Sequence, residues 1–90
     1  MSPGKTPIWR DDIDALEFQP AAHRGVCMVH RHAFRTLLRA PPSPQQCLDF
    51  FHTNEAAFQA AARAKTIRAG VGDAENFHLT SRDVSRQLKI

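Results

Sequence analysis

Residues 26–39 read VCMVHRHAFRTLLR, a short apolar run followed at once by a segment with helical spacing. The first four residues are continuously apolar, which is typical of a strand that is covered on both faces. In the second part, the apolar side chains recur on one face of a helix: Ala33, Phe34, Leu37 and Leu38. Pro41 follows shortly and cannot continue that helix. The stretch therefore predicts a strand at about 25–30 and a helix at about 32–39.

An alternating segment, ALEF at 15–18, precedes this stretch and predicts a first strand at about 14–19. Because only a short turn separates the two strands, we expect them to pair as an antiparallel hairpin. The chain before them has no apolar run of the kind found in a secretory signal. Residues 1–10 are therefore predicted to be a flexible leader, and residues 11–90 a single domain.

The clearest helix start in the chain is at Ser43. Its hydroxyl can cap free N–H groups, Pro44 fits the first helical position, and Gln46 completes a capping box. Gly70 is the first later residue that is well suited to end a helix. The pattern therefore predicts one long helix over 44–69.

A second capping box, TSRD at 80–83, predicts a terminal helix at 81–88, with a short strand at about 76–79 before it. The predicted order is strand, strand, helix, helix, strand, helix. That order is typical of an α+β protein, with a small, mostly antiparallel sheet and helices packed on one face. A chain of 90 residues needs nearly all its large apolar side chains for the core, which leaves little room for a deep enzyme cleft.

From Leu16 to Asp83 the chain resembles the bacterial family termed domain of unknown function fourteen-eighty-eight. The likeness rests on residues spread along the predicted domain: Leu16, Phe18, Val26, Cys27, Met28, Val29, Ala33, Phe34, Phe51, Phe58, Ala61, Ala62, Lys65, Gly70, Phe77, His78, Leu79, Thr80, Ser81, Arg82 and Asp83. The resemblance implies a small α+β fold in the bacterial cytosol. It implies no activity, because none is assigned to the family, and so it supplies no catalytic or ligand-binding residues.

The residues that most often carry catalysis or bind metals form no known motif. Cys27 lies inside an apolar run and Cys47 borders a predicted core stripe, so both are interpreted as buried, reduced thiols. The histidines include His30 and His32, but none has the paired spacing of a structural zinc site. We therefore predict no metal, no cofactor and no enzymatic activity. A metal- or thiol-dependent enzyme is the third alternative for function.

A stripe of arginines is the first candidate for recognition. Between residues 18 and 48 the sequence has no Asp or Glu, yet it holds Arg24, Arg31, Arg35 and Arg39. The last three recur at intervals of four, so a helix brings them to one flank, where guanidinium groups can bind phosphate or carboxylate. The alternative is a solvated helix face whose charges are neutralised by acids from elsewhere in the fold. Binding of nucleic acid or another polyanion is thus the second choice of function.

The predicted long helix offers the other candidate surface. Opposite its core stripe lie Ala56, Ala60, Ala64 and Ile67. Such a strip lets another helix approach closely, although alanine also occurs simply because it favours helices. Lys65, on the apolar side, is predicted to extend along the core with its ammonium group in water, and an anion-binding role is the alternative.

These features predict a cytoplasmic, non-enzymatic protein that acts by binding. A protein partner or a second copy of the chain is the first choice, through the strip that ends at Ile67. The sequence has no apolar run of the roughly 18 residues that a membrane span requires, so a membrane partner is not expected.

Overall fold

The computed structural model describes residues 6–88, which form one four-stranded sheet packed against four helices. The predicted α+β class with a mostly antiparallel sheet is confirmed. Within the described range no helix has the length and apolar character needed to cross a bilayer. The elements in chain order are β1 (Ile8–Arg10), β2 (Ala15–Phe18), β3 (Cys27–His30), α1 (Arg31–Leu38), α2 (Pro44–Thr53), α3 (Glu55–Ala69), β4 (Phe77–Leu79) and α4 (Ser81–Leu88).

The strands lie in the order β1-β2-β3-β4, with antiparallel pairs β1–β2 and β2–β3 and a parallel pair β3–β4. The last pair is parallel because the chain crosses over through three helices before it re-enters the sheet. Leu16, Val29 and Leu79 lie in register across three strands and are buried in the core. On the opposite face of β3, Met28 is half-buried and His30 is exposed. The prediction that this strand is covered on both faces is therefore wrong.

The segment predicted to be a leader contains a strand. β1 pairs with β2, and the Arg10 guanidinium donates a hydrogen bond of 2.7 Å to Glu17 on that neighbouring strand. Trp9 points to the other side of the sheet and packs against the core. The prediction of a flexible leader is thus wrong for residues 8–10, because pairing and apolar packing fix them. The part of that prediction concerning residues 1–5 lies outside the described residues.

The predicted helix over 44–69 is two helices, divided at Asn54. Its start is confirmed: the Ser43 hydroxyl accepts a hydrogen bond of 3.1 Å from the Gln46 N–H, and the Gln46 side chain accepts one of 2.8 Å from the Ser43 N–H. The backbone N–H and the side-chain amide of Asn54 both donate to the Phe50 carbonyl, at 3.1 and 3.0 Å. These bonds end α2, because an asparagine side chain competes for the backbone groups of the last turn.

Four phenylalanines join the helices to the sheet. Phe58 of α3 lies 5.1 Å from Phe51 of α2 and 5.8 Å from Phe34 of α1, measured between ring centroids. Phe18 of β2 completes the cluster at 5.0 Å from Phe51. None of the four is more than 3% exposed. Because full burial of such a side chain contributes about 2–3 kcal/mol, this cluster is the centre of the core, as the sequence predicted.

Candidate functional site

The structure separates the four arginines of the predicted stripe. Arg24 lies in the turn before β3, where its Nη2 is 3.2 Å from a carboxylate oxygen of Asp73. Both side chains are about three-quarters exposed, at 75% and 76%, so this ion pair is solvated and contributes little to stability. Because Arg24 precedes the amino end of β3, it lies at the opposite end of that strand from α1. It is therefore not part of a surface with the other three arginines.

Arg31 has a structural role at the start of α1. Its guanidinium donates two hydrogen bonds to Asp14 Oδ1, at 2.7 and 2.9 Å, and one of 2.9 Å to the Pro42 carbonyl. It also lies over the Trp9 ring, 5.3 Å from the ring centroid. Hydrogen bonding to Asp14 raises the pKa of Arg31. Two of the four predicted arginines are thus neutralised by acids distant in sequence, as the solvated-face interpretation expects.

Arg35 is exposed on α1, and Arg39 is exposed at the C-cap of that helix, in the left-handed conformation with a φ of 61°, so the predicted helical stripe does not continue to Arg39. Neither arginine forms an ion pair with another residue of the range 6–88. The structure adds two arginines that the sequence interpretation missed, Arg82 and Arg86, which are exposed on α4 and equally unpaired within this range. Helices α1 and α4 pack against each other. For the pair on α4 the signal was present in the sequence, because Arg82 and Arg86 are four residues apart within one helix.

Two depressions follow the boundary between α1 and α4. The first, here called the α1–α4 groove, has a volume of about 390 Å³ and is lined by Thr36, Leu37, Arg39, Ser81, Arg82, Ser85 and Leu88. The second, here called the histidine cleft, has a volume of about 580 Å³ and is lined by Ile13, Asp14, His30, Arg31, His32, Ala33, His78, Leu79, Thr80 and Ser81. Ser81 lines both, so the two depressions are neighbours.

The histidine cleft lies where the parallel strands β3 and β4 end. His30 and His78 come from these two strands, with ring centroids 5.9 Å apart and ring planes inclined at 76°. His30 precedes the first turn of α1 and provides no side-chain cap to it. Among residues 6–88, no three His, Cys, Asp or Glu side chains are placed to hold one metal ion. The cleft is thus lined by imidazole groups from both strands and by the Asp14 carboxylate, which is paired with Arg31.

The exposed face of α3 is the second predicted surface. Ala56, Ala60 and Ile67 are exposed and Ala64 is half-buried, and Ile67 retains 73% of its accessible surface. Beside this face lies a groove of about 510 Å³, here called the α3 groove, lined by Pro20, Ala21, Ala22, His23, Gln59, Ala60, Ala62, Arg63, Thr66 and Ile67. The Gln59 amide accepts a hydrogen bond of 2.8 Å from the Ala21 N–H and donates one of 3.2 Å to the Gln19 carbonyl. These bonds join the two walls of the groove and fix their relative position.

Lys65 does not extend into water as predicted. Its ammonium group donates a hydrogen bond of 3.0 Å to Asp83, a carboxylate that is only 6% exposed, and Arg68 donates to the other oxygen at 2.9 Å. The Thr80 N–H donates to Asp83 at 2.9 Å and completes the predicted capping box of α4. Burial alone would raise the pKa of Asp83, but the bonds from Thr80, Lys65 and Arg68 outweigh it and hold the pKa well below its usual range. This cluster joins α3 to α4.

The two cysteines are fully buried and unbridged. Burial raises the pKa of Cys47 to about 11 and raises that of Cys27 still further above its ordinary value. Because the thiolate is the reactive form, neither side chain is placed to act as a nucleophile near neutral pH. Both fill space in the core, as the sequence interpretation expected.

Comparisons of the chain with protein-family models, with curated proteins and with solved structures gave no match. The resemblance that runs from Leu16 to Asp83 therefore stays a prediction.

Proposed function

We propose that this protein is a non-enzymatic interaction module that forms a homodimer through the exposed face of α3. The observation that carries the proposal is the 73% exposure of Ile67 beside the α3 groove. Removing an isoleucine side chain of this kind from water is worth about 1.5–3 kcal/mol. A symmetric dimer buries two such side chains in one interface, so it gains more free energy from this surface than a complex with a partner that covers only one Ile67.

The spacing of residues on α3 supports an antiparallel pairing about a two-fold axis. Ala60 and Ile67 are two helical turns apart on one face, so such an axis between them places Ile67 of each protomer over the partner's Ala60. Alanine leaves room for the larger side chain, and Pro20 and Ala21 extend the apolar wall of the α3 groove on that side. A large side chain that meets a small one across a preformed groove allows two helices to approach closely.

The non-enzymatic part of the proposal rests on the positions of the reactive groups. The two thiols are buried, and the carboxylate with the most perturbed pKa, Asp83, is used to join α3 and α4. A perturbed carboxylate that is enclosed by its own partners has a structural explanation and does not require catalysis. The family resemblance supports a location in the bacterial cytosol.

Sedimentation velocity over a hundredfold range of concentration tests the dimer. We expect the mass to approach twice the 10.1 kDa of the chain, and Ile67→Glu to return it to the monomer value. Ile8→Glu is the matched control, because Ile8 is the other large hydrophobic side chain exposed within residues 6–88, at 47%, and it lies on β1. A monomeric wild type at the highest concentration, or equal dissociation by both variants, would count against the proposal.

A further inference from the structure

The charges of the described residues are unevenly neutralised. Five of the nine acidic residues form ion pairs within the range 6–88: Asp12, Asp14, Glu17, Asp73 and Asp83. Their partners are Arg10, Arg24, Arg31, Lys65 and Arg68, of which only Arg31, the first residue of α1, belongs to α1 or α4. Five arginines form no ion pair within residues 6–88, and four of them lie on α1, at its C-cap or on α4: Arg35, Arg39, Arg82 and Arg86, with Arg63 of α3 as the fifth. Positive charge therefore concentrates on this pair of helices even though the net charge of the chain is only +3.

The sheet topology brings the two helices together. Strands β3 and β4 are adjacent and parallel, with Val29 opposite Leu79. Each strand leads almost directly into a helix, α1 at Arg31 and α4 at Ser81. Both helices therefore begin at the same edge of the sheet, where the carboxyl ends of parallel strands commonly form ligand-binding crevices. Their amino-terminal dipoles reinforce the attraction of that edge for negative charge.

The two depressions place hydrogen-bond donors at separate points along the boundary between the helices. Arg39 and Arg82 both line the α1–α4 groove, whereas Arg35 and Arg86 are exposed on the same two helices and line neither depression. The histidine cleft continues the path beyond Ser81 with imidazole groups from both strands. Each helix has eight residues, so the boundary is about 12 Å long. A path of that length suits several successive phosphates better than a single small anion.

We propose that the α1–α4 groove and the histidine cleft together bind the phosphate backbone of a single-stranded nucleic acid. Guanidinium groups recognise phosphate in a two-pronged geometry, and a concave groove between helices admits a single strand, whereas a convex duplex reaches only its rim. No tyrosine, tryptophan or phenylalanine lines either depression. Binding there therefore depends on the phosphate contacts alone, and so it depends strongly on salt.

Fluorescence anisotropy with a labelled twelve-nucleotide oligothymidine tests the proposal. Two phosphate contacts on a single strand, from Arg39 and Arg82, give a slope of about −1.4 when the logarithm of the association constant is plotted against that of salt concentration. At about 50 mM salt each lost contact weakens binding about eightfold, so Arg39→Gln combined with Arg82→Gln is expected to weaken it by roughly 60-fold. Arg24→Gln is the matched control. It removes an exposed guanidinium from the far end of β3 and is expected to change the dissociation constant less than twofold.

Four results would each contradict the binding of a single-stranded nucleic acid in these depressions. No binding at low salt removes it, and an equal loss in Arg24→Gln shows that only the net charge matters. Equal affinity for a duplex of the same length contradicts binding within the groove. Displacement of the oligonucleotide by heparin fragments at equal charge concentration identifies a general polyanion surface instead. Both arginines of the double variant are exposed, and an unchanged midpoint of thermal unfolding confirms that the variant is folded.

Discussion

Asp83→Asn removes the negative charge from the cluster that joins α3 to α4. Asp83 accepts hydrogen bonds from Lys65, Arg68 and the Thr80 N–H, at 3.0, 2.9 and 2.9 Å. Asparagine has nearly the same shape, and its single carbonyl oxygen can still accept the bond from Thr80. The substitution therefore keeps most of the capping box and removes the charge-assisted bonds to the two cations.

The solvent exposure of Lys65 and Arg68 determines how much unfolding free energy the substitution removes. Breaking a fully buried ion pair by removing one partner costs about 3–5 kcal/mol, because the remaining charge is uncompensated. Here the Lys65 side chain is 21% exposed and that of Arg68 50% exposed, so Arg68 regains water and Lys65 does so in part. We expect a loss of about 2–3 kcal/mol in the free energy of unfolding. For a domain of this size that loss lowers the melting temperature by about 10–20 °C.

The effect depends on pH in a defined direction. The folded protein holds the pKa of Asp83 below its ordinary value, so the unfolded chain takes up this proton at a higher pH than the folded protein does. The stability from the cluster is therefore fully present above the ordinary carboxyl pKa of about 4 and is lost as the pH falls below it towards the folded pKa. The difference in unfolding free energy between wild type and Asp83→Asn should shrink as the pH is lowered from 5 to 2.

Urea unfolding followed by Trp9 fluorescence and by circular dichroism measures these quantities. Asp73→Asn is the control, because it removes the carboxylate of the solvated pair with Arg24 and is expected to leave the unfolding midpoint unchanged. In a Lys65→Met background, Asp83→Asn should cost less than it does alone, because the pair has already been broken. Equal midpoints for Asp83→Asn and Asp73→Asn, or a difference from wild type that grows at low pH, would refute the reasoning.

Two further predictions concern the backbone and the thiols. Gly25→Ala should destabilise the fold by about 1–3 kcal/mol, because an added Cβ at Gly25 would collide with the Glu75 carbonyl oxygen. Gly72→Ala is the control: the atom nearest to its added Cβ is 3.3 Å away, so it should cost clearly less free energy of unfolding in the same urea titration. Because both thiols are buried, Cys27 and Cys47 in the native protein should react with a disulfide reagent at pH 8 only as fast as the protein unfolds. In denaturant both should react fully. Rapid labelling of the native protein would show instead that a thiol is accessible.

Features that depend on neighbours in sequence were predicted well. The capping boxes that begin at Ser43 and Thr80 form as expected, and Gly70 ends α3 in the left-handed conformation with a φ of 65°. These signals are local because each cap bonds to a residue three or four positions away. The phenylalanines of the core were also identified, because a short chain has few other large apolar groups to bury.

Features that depend on distant partners could not be predicted. β1 is only three residues long, which is too short for an alternating pattern to be visible in the sequence, and it exists because its backbone pairs with β2. The break at Asn54 lies inside a continuous helical pattern, where propensity alone favours one helix. Lys65 and Asp83 are 18 positions apart, and no spacing rule indicates that α3 and α4 bring them together. The neutralisation of Arg31 by Asp14 follows only once β2 and β3 pair.

Asp83 also connects the stability of the fold to the proposed nucleic-acid surface. It is one of the two buried residues of α4 and is held by Lys65 and Arg68 of α3, so it fixes the rotation of α4 about its own axis. Arg82, one position before Asp83, and Arg86, three positions after it, are both exposed in this orientation of the helix. A helix that rotated by one residue would bury an arginine and expose the carboxylate. The Asp83 carboxylate thus has two effects: it stabilises the domain, and it keeps the arginines of α4 available for binding. Asp83→Asn should therefore weaken oligonucleotide binding under conditions where the protein is still folded.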